Sequence, residues 1–516
     1  MRGWGVAGLG LAVAATVGSA QGPLDVLVRG GSVYDGSGRP PIVADVGVRG
    51  DRIVFVGDAA LAGVRAVRTI DATGLVVAPG FIDPHTHTDG DLQRLTTRGL
   101  APFLMQGVTT VVVGNDGGGP VDVGAALRRL AGGAGTNVVY LAGHGSIRRA
   151  VMGMANRAPT PVELDSMRSL VAAAMRDGAV GLSTGLYYAP GNFAGTEEVV
   201  ELAKVAAAAG GYYDSHIRDE SSYTIGLLGA VDETIRIGRE AGIPVHFAHL
   251  KALGVDVWGQ SDAVIARILA ARAAGQRVTA DQYPYDASGS AVGASLLPRW
   301  AEGGGRDSLR RRFDDPATAP RLEKDMTENL RRRGGPEALL ITTGRWKGKR
   351  LAAVATELGL EPIKAAIAII KEGDASVASF NMNESDIERF MRQDFVVTGS
   401  DGSEGHPRKY GTFPRKIRHY VLDRGVTSLA RMIEASSAQT AGIVGLAERG
   451  RVETGFHADL IVFDSTTIAA RSTYEQPELL ATGMRYVLVG GRVAVDAGRP
   501  TGVLAGRPLR RSMAAR

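Results

Sequence analysis

The middle of the chain repeats one pattern eight times: a short apolar segment typical of a strand, then an alanine- and leucine-rich segment typical of a helix. The eight candidate strands are "LVVAPGFIDPHTH", "GVTTVVVGND", "NVVYLAGHG", "AVGLSTGL", "GGYYDSHI", "IPVHFAHLK", "RVTADQYPY" and "DFVVTGSDG". Strands that alternate with helices form a parallel sheet, and eight such units close into a (β/α)8 barrel. The sequence therefore predicts an α/β protein whose main body is a barrel of this kind.

Polar residues stand at the end of nearly every candidate strand. Neighbouring ones are separated by about one strand-helix unit, roughly 30 residues in a barrel of ordinary size. Catalytic groups of this fold lie at the C-terminal ends of the strands, so residues distant in sequence meet at one mouth. The residues in question are His85, His87, Asp116, His144, His216, His249, Tyr283 and Asp401.

One interval is too long for a single strand-helix unit. Between Tyr283 and Asp401 the chain has room for an insertion, which we place at about 295–390 because helical runs such as "EPIKAAIAIIKEG" occur there. We interpret the insertion as a helical lid over the active-site face. The alternative is a peripheral helical elaboration, since long surface insertions cost little chain entropy.

The two ends of the chain share a sequence pattern that differs from that of the middle. Residues 21–75 and 441–516 contain short alternating strands with Gly/Asp turns, which predict two parts of one small β-sandwich flanking a barrel over 76–440.

Arginines cluster in "LRRRF" and in the basic tail "RPLRRSMAAR", but without interleaved aromatics. We therefore expect solvated surface and no nucleic-acid partner, because no recognition module accompanies the charge.

Residues 1–20 have the features of a secretory signal peptide. One arginine precedes a short apolar stretch, and small residues then lead to a predicted cleavage site after Ala20. This predicts a periplasmic or secreted protein with no membrane span after cleavage; the alternative is an uncleaved membrane anchor. The chain has no cysteine, so an oxidising compartment would neither form disulfides nor oxidise thiols.

Imidazoles and carboxylates at several strand ends predict a metal site. His85 and His87 are two residues apart, so on a strand they point to the same face. With Asp401 they would form one ligand set, and Asp116, His216 and His249 would form a second. Any one of these histidines alone would more simply be a core or loop residue, but the group at barrel spacing favours a metal.

Ordered motifs over nearly all of the chain after residue 20 resemble the D-aminoacylase / N-acyl-D-amino-acid deacylase family of the amidohydrolase superfamily. They are "PGFIDPHTHTD", "GVTTVVVGN", "GLSTGLYYAPG", "HIRDES", "HLK", "DQYPYDASGS", "SDG", "HPRKYGTFPR" and "SSAQTAGIVGLAERGRVETGFHADLIVFD". The resemblance implies a zinc-bearing (β/α)8 barrel with a small β-sandwich built from both chain ends. It also implies hydrolysis of N-acyl-D-amino acids to a D-amino acid and a carboxylic acid.

The resemblance also implies roles for individual residues. His216 and His249 look like ligands of a tight Zn²⁺, and His85 and His87 look like ligands of a second, weaker position. Asp401 looks like the general base that also touches the second metal. The residues that would hold the α-carboxylate of a small-molecule substrate are Lys251, Tyr283, Ser288 and Arg408.

One position departs from the family pattern. Members commonly carry a cysteine ligand where this chain has Asp116, within Gly114-Asn115-Asp116-Gly117. Carboxylate is a harder ligand than thiolate, so other divalent ions become possible and the group could bridge two metals. The fourth candidate strand, "AVGLSTGLYY", offers no lysine to bridge them instead.

The sequence leaves further choices open. His144 could contact substrate or, as we favour, orient a loop. A dipeptidase that releases a C-terminal D-residue is the alternative activity; it needs an acidic partner for the substrate ammonium, for which Asp89, Asp91 and Glu220 are candidates. A non-catalytic exported binding protein is a third possibility, and four retained histidines with Asp401 argue against it. The oligomeric state stays open.

Overall fold

The computed structural model describes residues 22–511. The predicted signal peptide, residues 1–20, lies outside the described residues, as does the end of the basic tail, residues 512–516. Within residues 22–511, no helix combines the length and the apolar character that crossing a membrane requires.

Both ends of the chain contribute to one nine-stranded sheet within the described residues. Val76–Pro79 forms its junction, because it pairs with Leu24–Val33 on one side and with Leu460–Phe463 on the other. This strand lies inside the range predicted for the barrel; only Gly80 separates it from the first barrel strand, so the sequence shows one continuous apolar run. The nine strands are Leu24–Val33, Ile42–Arg49, Arg52–Gly57, Ala66–Asp71, Val76–Pro79, Leu460–Phe463, Met484–Val489, Arg492–Asp496 and Arg499–Pro500.

The eight predicted barrel strands are confirmed, and neighbours along the chain pair in parallel. The barrel closes where the first strand meets the eighth: Thr86 bridges Gly402, and Asp401 N–H donates to the His85 carbonyl at 2.9 Å. In the described chain the strands are Phe81–Asp83, Val108–Val113, Asn137–Tyr140 continued by Ala142–Gly143, Gly181–Gly185, Tyr212–His216, Val245–Phe247, Val278–Gln282 and Val396–Thr398.

Helices pack around the barrel as the alanine- and leucine-rich segments predict. Pro161–Asp177 illustrates the local rules: Thr160 and Glu163 form a capping box, proline occupies the first turn, and Gly178 ends the helix. The helices of the barrel layer are Asp89–Gln93, Ala101–Leu104, Val123–Arg129, His144–Met152, Pro161–Asp177, Thr196–Ala208, Gly226–Ala241, Ser261–Ala273, Glu384–Met391, Arg408–Arg415, the π-helix Lys416–Asp423, Leu429–Ser436 and Ala438–Val444, with a 3₁₀ turn at Gly191–Phe193. The predicted domain boundary at 440/441 falls within the last of these helices.

The insertion after the seventh strand is larger and less helical than predicted. It begins before residue 295, with a three-stranded antiparallel sheet of Ala287–Ala291, Ser376–Phe380 and Leu339–Ile341, and it has its own apolar core. Its strands are short and form a sheet of their own, separate from the barrel strands, so the sequence shows no barrel-like period. Its helices are Val292–Leu296, Gly305–Asp314, Ala319–Arg332, Leu351–Leu358 and Pro362–Glu372, with 3₁₀ turns Arg299–Glu302 and Pro336–Ala338.

The described part of the basic tail is not simply solvated surface. Leu509 N–H donates to the Val138 carbonyl at 2.8 Å, and Arg507 N–H donates to Asn137 Oδ1 at 3.1 Å. Asn137 begins the third barrel strand, so this part of the tail packs on the face of the barrel opposite its catalytic mouth.

Candidate metal centre and substrate pocket

All six residues predicted as metal ligands meet at the C-terminal mouth of the barrel. Ligand atoms of His85, Asp116, His249 and Asp401 all lie within 4.8 Å of one another, and His216 joins His249 in an adjoining group. Each residue ends or directly follows a barrel strand, and parallel strands of a closed barrel point their C-terminal ends at one place.

Asp116 is the central carboxylate of this group. Its Oδ1 lies 3.4 Å from Nε2 of both His85 and His249, and its Oδ2 lies 3.5 Å from His87 Nε2 and His216 Nδ1. Asp116 therefore faces the histidines of both predicted ligand sets, and the two sets themselves stay a prediction. The physical reason is that the second strand opens directly onto the centre of the mouth, where one carboxylate reaches both sides.

Three of these residues have a left-handed backbone conformation, which residues other than glycine rarely adopt. The φ angle is +54° at Asp116, +35° at His249 and +49° at Asp401. Such conformations cost about 1–3 kcal/mol each and persist where the surroundings hold them, often at functional sites. The Asp116 turn is held closely: a Cβ on Gly185 would lie 2.2 Å from the Asp116 carbonyl oxygen, so only glycine fits there.

Several buried nitrogen and oxygen atoms that could bind a metal have no hydrogen-bond partner among the described residues. Both ring nitrogens of His85, both of His216, and Oδ1 of Asp116 have none. Unpartnered buried polar atoms are costly, and four imidazoles with two carboxylates are a donor set that divalent metals such as zinc accept. The residues present therefore fit a metal.

Glu220 is a member of the site whose role the sequence did not reveal. Its Oε1 lies 3.1 Å from His249 Nδ1 and 2.6 Å from Lys251 Nζ, and its Oε2 lies 3.7 Å from His216 Nε2. Burial alone would raise the pKa of Glu220, but Lys251 and the two histidines hold that pKa well below its usual range. A carboxylate behind an imidazole fixes the ring and its tautomer, so Glu220 orients His249 toward Asp116.

A second buried layer supports the first ligands from beneath. Asp281 accepts a hydrogen bond from His249 N–H at 3.1 Å and contacts His246 Nε2 at 3.1 Å. Asp83 accepts from the backbone N–H groups of His85 and Ser400, and burial raises the pKa of Asp83 to about 7. Branched apolar side chains usually fill the interior of a barrel. The polar residues Asp83 and Asp281 within these strands were therefore the sequence signal that could have identified this layer.

The residues predicted to hold a substrate carboxylate border the metal group. Arg408 is buried; it forms an ion pair with Asp401 Oδ2 at 2.6 Å, donates to Ser403 Oγ at 3.1 Å, and its guanidinium lies over the Tyr283 ring. A Cβ on Gly289 would lie 2.8 Å from Arg408 Nη2, so glycine at this position leaves room for the guanidinium.

Lys251 and Ser288 lie in the same cavity as Tyr283 and Asp401. Lys251 Nζ is held by Glu220 and lies 2.6 Å from His249 Nδ1. Ser288 comes from the first strand of the insertion, so the insertion does form part of the cavity wall, as the lid interpretation requires.

Other polar residues singled out by sequence lie apart from the metal group. His144 is fully buried and contacts Glu198 at 2.9 Å, and Glu198 also pairs with Arg148; the loop-orienting role of His144 stays a prediction. Asp91 pairs with Lys409 at 2.7 Å. Asp89 lies at the start of its helix and lines a different cavity.

A barrel mouth with converging imidazoles and carboxylates, beside a β domain built from both chain ends, defines a metal-dependent amidohydrolase. The comparison with known sequences agrees, because the profile of the Amidohydrolase family matches residues 68–495. The chain belongs to this family.

Similar proteins are known over almost the full length of the chain. It is 37% identical to a D-aminoacylase of Alcaligenes xylosoxydans xylosoxydans, over 95% of this chain and 99% of the relative. It is 36% identical to an N-acyl-D-glutamate deacylase of the same organism, over 95% and 97%. Among solved structures, a D-aminoacylase matches with a TM-score of 0.81 at 35% identity, over 95% of this chain and 100% of that chain. The N-acyl-D-glutamate deacylase of Bordetella bronchiseptica, solved with zinc and a phosphonate inhibitor, matches with a TM-score of 0.81 at 32% identity, over the same shares.

Glu220→Gln tests the orienting role. Glutamine keeps the size of the side chain but removes the charge behind His249, so we expect metal affinity to fall about 10- to 100-fold. Metal content after dialysis against graded chelator measures this, with Glu240→Gln on an exposed helix as the matched control. A folded Glu220→Gln protein that retains metal like the control contradicts the assignment.

Proposed function

We propose that this protein hydrolyses the amide bond of N-acyl-D-amino acids, giving a D-amino acid and a carboxylic acid. The observation that carries the proposal is one cavity in which metal-binding residues adjoin Lys251 and Tyr283, while Arg408 lies over the Tyr283 ring; all three residues suit a carboxylate. The similarity to D-aminoacylase and to N-acyl-D-glutamate deacylase over 95% of the chain supports it.

The proposed cofactor is Zn²⁺, with one tight site and a second, weaker one. A bound metal of this kind lowers the pKa of a coordinated water and polarises the amide carbonyl. His216, His249 and Asp116 would hold the tight ion, and His85, His87 and Asp401 would hold the weaker one. Asp116 lies between the histidines of both groups, which is the placement that a shared carboxylate requires.

Asp401 is the proposed general base. Its Oδ1 lies 3.0 Å from His87 Nε2, and its Oδ2 faces Arg408. Burial would raise the pKa of Asp401, but Arg408 and His249 hold that pKa well below its usual range, so the carboxylate is ionised at neutral pH. The same carboxylate then returns the proton to the amide nitrogen as that nitrogen departs.

Substrate orientation follows from the cationic groups. The Arg408 guanidinium and the Lys251 ammonium lie 4.8 and 5.6 Å, respectively, from the centroid of the Tyr283 ring, so both cations border the place beside this ring where a carboxylate would bind. Fixing the α-carboxylate and the scissile carbonyl determines which face of the α-carbon carries the side chain, and hence the preferred enantiomer.

Hydrolysis of a small substrate panel tests the proposal. We expect the metal-loaded protein to cleave N-acetyl-D-amino acids faster than their L-enantiomers, and to lose activity with chelator. Dipeptides of the L-Xaa-D-Xaa type belong in the same panel, because they are the substrates of the alternative activity; of its three candidate ammonium partners, Glu220 alone lines the cavity. Equal rates on N-acetyl-D-leucine and N-acetyl-L-leucine would contradict the proposal.

Asp401→Asn separates a general base from a residue that only binds metal. Asparagine keeps the size and one oxygen ligand but cannot accept the proton, so turnover should fall at least ~100-fold while the metal near Asp116, His216 and His249 stays bound. Turnover and metal content are measured on the same sample. A metal-replete variant with nearly unchanged turnover would end the assignment.

We also propose that the protein is exported to the periplasm or secreted, with cleavage after Ala20. The basic, apolar and small-residue pattern of residues 2–20 supports this. Mass spectrometry of protein from its native host should find a mature N-terminus near Gln21. Detection of intact residues 2–20 would refute it.

A further inference from the structure

Among the described residues, the cavity beside the metal group contains one buried cation that has no anionic partner. Arg333, at the end of an insertion helix, is 2% exposed and lines this cavity. Its guanidinium donates to the Ser295 carbonyl at 3.0 Å and to Tyr187 Oη at 3.1 Å. With the Asn381 amide assigned by its hydrogen-bond network, the guanidinium also donates to that amide oxygen at 3.2 Å, and all three acceptors are neutral. Within residues 22–511 no carboxylate lies at ion-pair distance from Arg333.

The neighbouring cations are all paired. Lys251 contacts Glu220 at 2.6 Å, Arg408 contacts Asp401 at 2.6 Å, and Arg299 contacts Glu302 at 3.1 Å. A buried charge without an opposite charge is costly, and an anion that enters the cavity would offset that cost. Arg333 is therefore placed to receive one.

A second, independent feature lies beside Arg333. The Tyr223 hydroxyl is buried and has no hydrogen-bond partner in the described chain, and the Tyr223 ring centroid is 5.8 Å from the Arg333 guanidinium. The nearby Asp219 carboxylate is occupied by the backbone N–H groups of Ser221 and Thr224, at 2.9 and 2.5 Å. This part of the cavity thus offers hydrogen-bond donors to a ligand.

The location of Arg333 indicates which part of a substrate it would meet. The Asn381 amide joins Arg333 to Ser288 Oγ through contacts of 3.2 Å on each side. Ser288 is one of the residues expected to hold the α-carboxylate, so Arg333 lies on the amino-acid half of the substrate.

We propose that Arg333 and Tyr223 form a subsite for a second carboxylate, carried by the side chain of the D-amino acid, so that the preferred substrates are N-acyl derivatives of acidic D-amino acids. This rests on the proposed function and deepens it. Each Nη of Arg333 keeps a second N–H besides the one that it donates to Tyr187 or Asn381, and the Tyr223 phenol adds a third donor. The tyrosines around the cavity would accept an uncharged side chain as well, so the test must isolate charge from size.

Pairs of substrates that differ only in charge provide this test on the metal-loaded, full-length protein. We expect kcat/KM for N-acetyl-D-glutamate to exceed that for N-acetyl-D-glutamine at least ~10-fold, or the same for the aspartate and asparagine pair, because hydrogen bonds to a charged group are lost with the amide. N-succinyl-D-leucine against N-acetyl-D-leucine tests whether a carboxylate on the acyl side is preferred instead.

Two variants locate the preference. Arg333→Met should lower the acid-to-amide ratio of kcat/KM to near one, whereas Arg331→Met, an exposed arginine on the same helix paired with Asp256, should leave the ratio unchanged. Because Arg333 also ties the insertion to Tyr187, Tyr223→Phe is the milder probe, and it should reduce the ratio without changing the thermal unfolding midpoint.

Each outcome tests a different part of the proposal. Cleavage of N-acetyl-D-leucine and N-acetyl-D-glutamine as fast as N-acetyl-D-glutamate, with no gain for the aspartate pair, overturns the subsite but leaves the deacylase function standing. A preference for N-succinyl-D-leucine alone overturns the side-chain assignment. An acidic preference that survives both Arg333→Met and Tyr223→Phe removes these residues from the subsite. Failure to cleave any N-acyl-D-amino acid refutes the function itself.

Discussion

Closure of the barrel between its first and eighth strands is the constraint on which the site depends. The Asp401 N–H donates to the His85 carbonyl, and Thr86 bridges Gly402, so the two strands are joined through the same residues that carry the ligands. Backbone hydrogen bonds thereby fix the positions of Asp401 and His85 relative to each other. A shift of this register would move both ligands, which links the stability of the fold directly to the geometry of the metal group.

The density of ionisable groups at the mouth is the second constraint. Asp116 faces four imidazoles, Glu220 faces Lys251 and two of those imidazoles, and Asp401 faces Arg408. Charges removed from water need partners, and here nearly every one has an opposite neighbour within 4 Å. Arg333 is the exception among the cavity cations of the described chain. Because no acidic residue there neutralises it, we infer its partner from the ligand rather than from the fold.

The insertion shows where sequence patterns stop being informative. Its position between the seventh and eighth strands could be predicted, because the interval from Tyr283 to Asp401 exceeds one strand-helix unit. Its small sheet could not, because Leu339–Ile341 and Ser376–Phe380 are three and five residues long and pair across a large separation in sequence. Glu220 was visible four residues after His216, but nothing local distinguished a residue that orients a ligand from a partner for a substrate ammonium.

The sequence by itself determined the order of strands and helices, the (β/α)8 class, the joining of both chain ends in one β domain, and the residue types at the mouth. These follow from local periodicity and from the rule that parallel strands end on one face. Only the tertiary structure decided that Asp116 lies among all four histidines, that Glu220 orients His249, and that Arg333 reaches the cavity with no acidic partner among residues 22–511. Those contacts join residues from different loops, and their distances depend on backbone turns such as the left-handed residues Asp116 and His249, which no local pattern specifies.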